Sequence, residues 1–541
     1  MKKKTALLLN VLLFAGFFFF FGVYLRQAKQ PSWLEPGALT GQVRQAQDLI
    51  THLSQTLPTE EIKLCFRGEE LACDRGSDTW YLPVDMDQTG WEAGSFQESL
   101  KGLQVLPLED YTILDKKIVV ADGQKVPLLV WNEREASCAV IDVVFTGLPV
   151  VRIETNADLD IDTVFAGSIV FYQDCGQPVW TLTSAFEAHE RGQTTRDFPK
   201  KGYRLNLITV TPTGVVRKNA QSVLGMRDAD SWIFYAIYSD GTKVRDKFNI
   251  ELWNEFGASI EGYPAHFGTH MEYVELIVNG EYRGLYGILE PIDSKQLEIS
   301  EQEYLYKRTY GRELESQLFD EVSPEEYLSV LGMEIKGRDG AGTREDWQCF
   351  RQFTELCEKK DEDFIKEAPK LLDMANFADI WLYLQMIYGE DNIYKNMFFA
   401  FKRETEGYRL YLVPWDVDLS WGNTYVDEKQ ALYTVYAPER ADQYLEWPLA
   451  DRMLSLNVGG IRSYAADRWR MLRQDTLSDA HMEEVLRGCI HQVQDSGAFA
   501  RDAKRWPDSH HDGDYEKIRT FLQKRMVFLD AYMKKIEVGW E

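Results

Sequence analysis

The sequence is short of positive charge. It has 60 lysine and arginine residues against 86 aspartate and glutamate residues, a formal net charge of -26 at pH 7. Proteins that bind nucleic acid need clustered basic side chains for the phosphates, so this balance argues against such a partner. The apolar and aromatic fractions, 45% and 13%, are those of a globular chain. At 541 residues the chain is too long for one core, and we expect two or three domains.

Histidine and cysteine are also scarce. The chain has 8 His and 7 Cys, and no group of them has the spacing of a zinc site. Cys65 and Cys73 could close a hairpin, and Cys138 and Cys175 could pair across strands. The odd number of cysteines leaves at least one thiol without a partner in the chain. This usage fits an exported protein without proving any disulfide.

The one long apolar run lies at the N-terminus, at residues 6–25, and follows three lysines. About 20 apolar residues are enough to cross a bilayer, and no small-residue cleavage site ends the run. We therefore predict a membrane anchor within residues 1–29. The positive-inside rule favours a single-pass chain with a cytoplasmic N-terminus and an extracytoplasmic bulk. A cleaved signal peptide is the alternative, and it exports the chain as well.

The remaining sequence divides by its pattern. Residues 30–59 are predicted to form a linker and a stalk helix, and residues 60–138 a small β-rich module. Within that module, a hairpin turn at Asp122-Gly123 is predicted to join strands at residues 118–120 and 126–131. From residue 139 strands come first and helices follow. This order predicts an α+β fold with two lobes and a cleft between them. The predicted lobes are a β-rich N-lobe at about 139–295 and a helical C-lobe at about 296–541.

Residues 388–422 are predicted to contain a β-hairpin. Residues 397–401 are apolar, residues 408–413 alternate, and the charged segment between them ends in glycine, which is typical of a turn. Such a hairpin brings four side chains to one end: Asp391, Asn396, Asp416 and Asp418. Carboxylate and amide oxygens suit a hard cation such as Mg²⁺, which shares its ligands with phosphate.

The spacing of these residues is also informative. Four residues separate Asp391 from Asn396, and a further Asp follows after the hairpin. Protein kinases use this order for a catalytic base, a metal-binding Asn and a metal-binding Asp. An ordinary solvated turn is the alternative interpretation for the same residues.

Four segments are distinctive in their order along the chain: residues 191–205 (RGQTTRDFPKKGYRL), 230–247 (beginning DSWIFYAIYSD), 278–290 (beginning VNGEYRGLY), and 396–399 (NMFF) with 413–422 (VPWDVDLSWG). Together they resemble the spore coat protein H (CotH) family of atypical secreted kinases. The resemblance covers roughly residues 148–425, with weaker helical similarity to about residue 533.

The resemblance implies a two-lobed, atypical protein-kinase-like fold. It also implies transfer of the γ-phosphate of ATP to protein Ser or Thr with Mg²⁺ or Mn²⁺. Asp391 would accept or orient the substrate hydroxyl. The metal ligands would be Asn396, Asp416 and Asp418. A loop would turn over the triphosphate and offer it donors from Arg191, Gly192, Thr194 and Thr195.

Lys201 is the predicted phosphate-binding lysine, at the start of a strand. Strand alternation gives it the parity of the apolar Tyr203 and Leu205 and puts Lys200 on the opposite face, so we favour Lys201. Glu251, in the helix predicted from residue 243, is its expected ion-pair partner and is counted with the nucleotide site.

Arg245 and Asp246 are the alternative functional pair in that helix. Glu290, just before Pro291, lies where a linker between lobes would contact adenine, mainly through backbone groups. The sequence departs from ordinary kinases, since it has no Gly-x-Gly-x-x-Gly loop, no His-Arg before Asp391 and no Asp-Phe-Gly. Two other functions therefore stay open. One is an inactive kinase-fold scaffold or binding protein of the cell envelope or spore coat, and the other is a nucleotidyl or other phosphate-group transferase.

Overall fold

The structure is a computed structural model, and it describes residues 33–53, 55–99, 102–156, 164–173, 180–192, 194–258, 268–310, 315–425 and 434–538. The predicted membrane segment, residues 6–25, lies outside these ranges. Within them, no helix has both the length and the apolar character needed to cross a bilayer.

The first part of the described chain is a small β-rich unit with two helices. Its elements are β1 Trp33–Leu34, α1 Thr40–Ile50, β2 Gln55–Thr56, β3 Leu64–Phe66, β4 Glu69–Glu70, β5 Ala72–Asp74, β6 Thr79–Pro83, β7 Trp91–Glu92, β8 Phe96–Glu98, β9 Leu103–Pro107, α2 Lys116–Ala121, β10 Lys125–Asn132 and β11 Ser137–Thr146. The main sheet has the order β5-β6-β11-β10-β9, with β2 also paired to β11. Because β11 belongs to it, this sheet extends past residue 138.

Two local predictions for this unit are wrong. Residues 118–120 are not a hairpin strand but part of α2, because Asp115 caps that helix by accepting from the backbone N–H of Lys117 at 2.9 Å. Val119 and Val120 are buried while Ile118 is 59% exposed, which is helical periodicity.

Cys65 and Cys73 form no disulfide, and all six described cysteines are free thiols. Cys175 lies outside the described residues.

The second part is a closed sheet with one helix. Its elements are β12 Val150–Thr155, β13 Phe165–Gln173, β14 Trp180–Arg191, β15 Gly202–Val210, β16 Val216–Lys218, β17 Gln221–Ser222, β18 Asp228–Ala229, β19 Ser231–Tyr235, α3 Arg245–Ala258, β20 Met271–Val278 and β21 Glu281–Leu289. The strands run β14-β13-β12-β20-β21-β19-β15, and β15 also pairs with β14, which closes a ring of seven. The ring encloses apolar side chains such as Leu205, Leu207 and Trp232.

The tight turn between β20 and β21 is confirmed. Asn279 and Gly280 join the strands with φ of 50° and 72°, the positive values that a two-residue hairpin turn requires.

The third part is mostly helical and includes a four-stranded sheet. Its elements are β22 Tyr304–Arg308, α4 Leu318–Glu321, α5 Tyr327–Leu331, β23 Met333–Lys336, α6 Gln348–Glu358, α7 Asp361–Leu371, α8 Met374–Ile387, α9 Glu390–Tyr394, β24 Met397–Arg403, β25 Tyr408–Pro414, β26 Asn423–Tyr425, β27 Thr434–Tyr436, α10 Pro448–Ser455, α11 Ile461–Gln474, α12 Asp479–Gln494, α13 Ala498–Arg505 and α14 Glu516–Val538. The sheet order is β23-β22-β24-β25, and the predicted hairpin of β24 and β25 is confirmed.

The predicted division into two lobes is only partly met. The fold is mixed α and β, as expected, but the β-rich part is a closed ring of strands. Helix α3 belongs to the core of the helical part, where the rings of Phe256 and Tyr383 lie 5.7 Å apart. Helix α13 packs against β21 of the ring. The described residues therefore do not form a clear two-lobed kinase arrangement.

Candidate functional site

The open end of the β24–β25 hairpin faces a cleft of about 340 Å³. Met397 pairs with Pro414 at that end, and the backbone N–H of Trp415 donates to the Asn396 carbonyl at 3.0 Å. Four predicted site residues line the cleft together, and they are Asp391, Asn396, Asp416 and Asp418. The cleft is also lined by Arg191, Gly192 and Thr195, which come from the end of β14 and the loop that follows it (the Arg191 loop). The cleft thus lies between the ring of strands and the helical part.

Asp391 and Asn396 are held against each other. The Asn396 Nδ2 donates to Asp391 Oδ2 at 2.7 Å, and Lys395 Nζ lies 3.3 Å from Asp391 Oδ1. Asn396 has a φ of 57°, which turns the chain sharply out of α9 into β24. Burial raises the pKa of Asp391, and the Asp416 carboxylate adds to the rise while Lys395 opposes it. A carboxylate with a raised pKa in a cleft is suited to accept a proton.

Asp416 and Asp418 are placed by a turn and not by strand alternation. They follow β25, and Asp416 has a φ of 58°. Asp418 Oδ2 accepts from Ser239 Oγ at 2.7 Å. Burial and the neighbouring Asp416 raise the pKa of Asp418 to about 7. The two carboxylates therefore share one crowded, buried environment.

Asp246, in the first turn of α3, is a third carboxylate at this place. Its Oδ1 accepts from the backbone N–H of Val417 at 3.1 Å, and its buried Oδ2 has no hydrogen-bond partner. Burial, Asp418 and Asp416 raise the pKa of Asp246 well above its usual range. Because three carboxylates lie close together and repel one another, a cation bound among them would stabilise their charged forms.

These donors are those that a hard divalent cation prefers. The orphaned Asp246 oxygen and the raised pKa of Asp418 both indicate carboxylates that lack a counter-charge. Within the described ranges, no three His, Cys, Asp or Glu side chains are already arranged as a metal site. A cation here would therefore need further oxygens from a ligand, as Mg²⁺ takes them from phosphate.

The loop after β14 approaches the cleft with a glycine that cannot be replaced freely. Gly192 has a φ of 117°, and a Cβ added there would lie 1.9 Å from Thr195 Oγ1. Arg191, the last residue of β14, puts its guanidinium 5.8 Å from the centre of the Trp415 ring. Thr194 begins the 3₁₀ turn Thr194–Asp197.

The prediction that Lys201 faces the phosphate site is not met. Its Nζ donates to the Arg196 carbonyl and lies 3.5 Å from Glu190 Oε1, and Lys201 does not line the cleft. The parity argument failed because Tyr203 and Leu205 point into the closed ring and not into the cleft. Lys200 does reach the cleft wall, but its buried ammonium is paired with Asp502 at 2.7 Å.

The predicted partner of Lys201 is also corrected. Glu251 is 43% exposed and pairs with Lys247 at 3.2 Å, one turn earlier on α3. The alternative pair, Arg245 and Asp246, is likewise not a pair, since Arg245 binds Asp240 at 2.6 Å. Asp246 alone reaches the carboxylate cluster.

The carboxylate, the backbone N–H and the backbone carbonyl of Glu290 all have hydrogen-bond partners within the protein. Its carboxylate accepts from the Arg227 backbone N–H at 2.8 Å and contacts His270 Nδ1 at 2.9 Å. Its own N–H donates to the His270 carbonyl, and its carbonyl accepts from Thr269. Glu290 is not among the residues that line the cleft, so its predicted contact with adenine has no support in this geometry.

Sequence reasoning missed several residues of the cleft. Ser239 and Lys395 both lie within or beside the segments that carried the resemblance, so their positions were a usable signal. Lys307, on β22, also lines the cleft. It lies outside those segments, and nothing in its local sequence marks it.

The chain was compared with models of protein families. The family model described as CotH kinase protein matches residues 188–529, which is more than half of the chain. The matched region contains the loop after β14, α3, the β24–β25 hairpin and α13. No curated protein matches the chain.

Proposed function

Because the chain belongs to the CotH kinase protein family, we propose that it is an atypical kinase that transfers the γ-phosphate of ATP to a Ser or Thr hydroxyl of a protein. The observation that carries this proposal is the cleft itself. Its lining combines Asp391 and Asn396 with Asp416 and Asp418, and it also includes residues of the Arg191 loop.

Asp391 is the proposed base. The amide nitrogen of Asn396 orients one of its oxygens, and Lys395 lies beside the other. The raised pKa of Asp391 makes its carboxylate a stronger base, and therefore better suited to take the proton from a substrate hydroxyl. In phosphoryl transfer this residue mainly aligns the acceptor oxygen with the γ-phosphorus, because the reaction asks little covalent chemistry of the protein.

Asn396, Asp416 and Asp418 are the proposed metal ligands. The Asn396 nitrogen is used by Asp391, which leaves its side-chain carbonyl oxygen for a cation. When bound, Mg²⁺ or Mn²⁺ would neutralise charge on the phosphates. Ser239 holds Asp418 in place by a hydrogen bond at 2.7 Å.

The Arg191 loop is the proposed cradle of the triphosphate. Gly192 lets the backbone turn where a side chain would collide with Thr195. Backbone N–H groups and a guanidinium are the groups that phosphate oxygens prefer. We propose that the ring of strands takes the place of a kinase N-lobe and that the helical part takes the place of the C-lobe.

Location and partner are part of the same proposal. Residues 6–25 would anchor the chain in the membrane, and the catalytic part would act outside the cytoplasm on a Ser- or Thr-containing protein. The apolar run after three lysines supports the anchor. The net charge of -26 favours a protein substrate over nucleic acid.

The test uses the position of the label in ATP. The full chain is incubated with Mg²⁺ or Mn²⁺, a Ser/Thr-rich acceptor, and either γ-labelled or α-labelled ATP. A kinase transfers label from the γ position only. Transfer from the α position would instead show a nucleotidyl transferase. Failure of both, with no metal-dependent thermal shift on adding ATP, would favour an inactive scaffold.

A further inference from the structure

Two cations of the cleft have no hydrogen-bond or ion-pair partner among the residues that the structure describes. Lys307 reaches it from β22 and Arg191 from the end of β14, so they come from different sheets. Within the described part of the chain, neither the Lys307 ammonium nor the Arg191 guanidinium makes a hydrogen bond or an ion pair. Both are partly buried.

The other lysines of this cleft are different. Lys200 is paired with Asp502 at 2.7 Å, and Lys395 lies 3.3 Å from Asp391. A buried charge without a partner is costly, so proteins rarely keep one that no ligand uses. Lys307 and Arg191 are therefore the two cations of the cleft that are best placed to bind an anionic ligand.

The side chain of Trp415 brings the two cations together. The Lys307 Nζ lies 6.0 Å and the Arg191 Cζ 5.8 Å from the centre of its ring. The electrons of the indole face offset part of the cost of holding two like charges near each other. Burial, with Lys336 and Arg191 nearby, lowers the pKa of Lys307 to about 8, although the carboxylates of Asp416 and Glu334 oppose the shift. The pair is thus close enough to feel mutual repulsion, which an anion would relieve.

We propose that Lys307 and Arg191, held around Trp415, bind the phosphate chain of the nucleotide, with Lys307 as the phosphate-binding lysine of this protein. The inference rests on the proposed function and adds to it a lysine from the helical part of the chain. A polyphosphate fits because its charges are spaced along a chain, and each cation can meet a different phosphate beside the carboxylates Asp416 and Asp418.

The experiment measures binding of inorganic tripolyphosphate to the full chain by titration calorimetry, with Mg²⁺ present. The variant Lys307→Met removes the charge and keeps the length of the side chain. Lys307→Arg keeps the charge. The matched control is Lys336→Met, because Lys336 is on the neighbouring strand β23, already pairs with Glu334 and does not line the cleft.

We expect Lys307→Met to weaken tripolyphosphate binding at least about tenfold, the loss of a charged hydrogen bond. Lys307→Arg should stay within about threefold of the wild type and Lys336→Met within about twofold. The thermal midpoint of Lys307→Met should not fall, since an unpartnered cation has been removed.

Three results with the variants in the binding experiment would overturn the inference. One is wild-type affinity in Lys307→Met, another is an equal loss in Lys336→Met, and the third is a clear drop in thermal midpoint for Lys307→Met, which would make the lysine structural. Absence of tripolyphosphate binding by the wild type would also reject it. The two proposals fail separately. Label transfer at the wild-type rate by Lys307→Met rejects only the role of Lys307. Tripolyphosphate binding that depends on Lys307, without any label transfer, rejects only the proposed kinase activity.

Discussion

Removal of the Asp502 carboxylate should destabilise the fold more than any surface substitution. Asp502, on α13, is completely buried and accepts three hydrogen bonds, from Lys200 Nζ at 2.7 Å, the Leu285 N–H at 2.9 Å and His511 Nε2 at 2.9 Å. It therefore joins the ring of strands and the cleft wall to the C-terminal helices. Asp502→Ala leaves the Lys200 ammonium buried without its counter-charge.

We expect Asp502→Ala to cost about 3–5 kcal/mol of unfolding free energy, the usual penalty for removing one partner of a buried ion pair. The assay is urea unfolding of the full chain, with the slope compared between variants. The control is Asp467→Ala, whose carboxylate is mostly exposed and pairs with Arg470, and which should cost less than about 1 kcal/mol. The double variant Lys200→Met, Asp502→Leu should lose less than Asp502→Ala, because neither charge remains.

The acid dependence gives an independent readout of the same pair. Burial alone would raise the pKa of Asp502, but Lys200, with His511 and Lys243, holds it well below its usual range. The folded pKa is below that of an unfolded carboxyl, about 3.9, so this stabilisation is present above that pH and is lost as the pH falls further. Asp502→Asn should lack that part of the acid sensitivity. A loss below 1 kcal/mol in Asp502→Ala, or a double variant worse than the single, would refute the reasoning.

Three further results are expected. Gly192→Ala should lower label transfer at least about tenfold and cost about 1–3 kcal/mol of stability, because its φ of 117° and the contact with Thr195 both oppose a Cβ. Asp115→Ala should cost about 1 kcal/mol in urea unfolding through loss of the α2 cap. The hydrogen bond that the Glu290 carboxylate accepts from His270 should raise the pKa of His270 above its ordinary value in an NMR titration, and Glu290→Gln should remove most of that rise. The stability from this contact is present below the ordinary pKa of histidine and is lost as the pH rises through the raised value.

Each of these has a result that would contradict it. Full activity in Gly192→Ala would mean that the loop does not approach the substrate. Unchanged stability in Asp115→Ala would mean that Asp115 does not cap a helix, and would favour the predicted strand at residues 118–120. A His270 pKa that is insensitive to Glu290→Gln would show that another group sets it, such as Glu251 or Glu272.

The sequence was most informative where short-range chemistry decides the structure. The Asn279-Gly280 turn and the β24–β25 hairpin follow from turn residues and strand patterns, and the hairpin, with the short segments at its open end, brings Asp391, Asn396, Asp416 and Asp418 into one cleft. Those features depend on neighbours within a few residues.

It was least informative where tertiary contacts decide. The closure of β14 onto β15 turned the apolar face of β15 inward, so strand parity assigned Lys201 to the wrong surroundings. Asp502 lies about 300 positions from Lys200, and no local pattern predicts that ion pair. Lys307 was missed for the same reason, since its surroundings include Arg191 from a distant strand.

The most direct test of the central claim is transfer of γ-label from ATP to an acceptor by three chains. They are the wild type, Asp391→Asn, and Asp320→Asn as a matched control, whose carboxylate is exposed and pairs with Arg351. We predict transfer by the wild type and the control, and a loss of at least about 100-fold in Asp391→Asn. Transfer by Asp391→Asn at the wild-type rate, or none by a folded wild type that binds ATP and metal, would contradict the assignment of this cleft as a kinase active site.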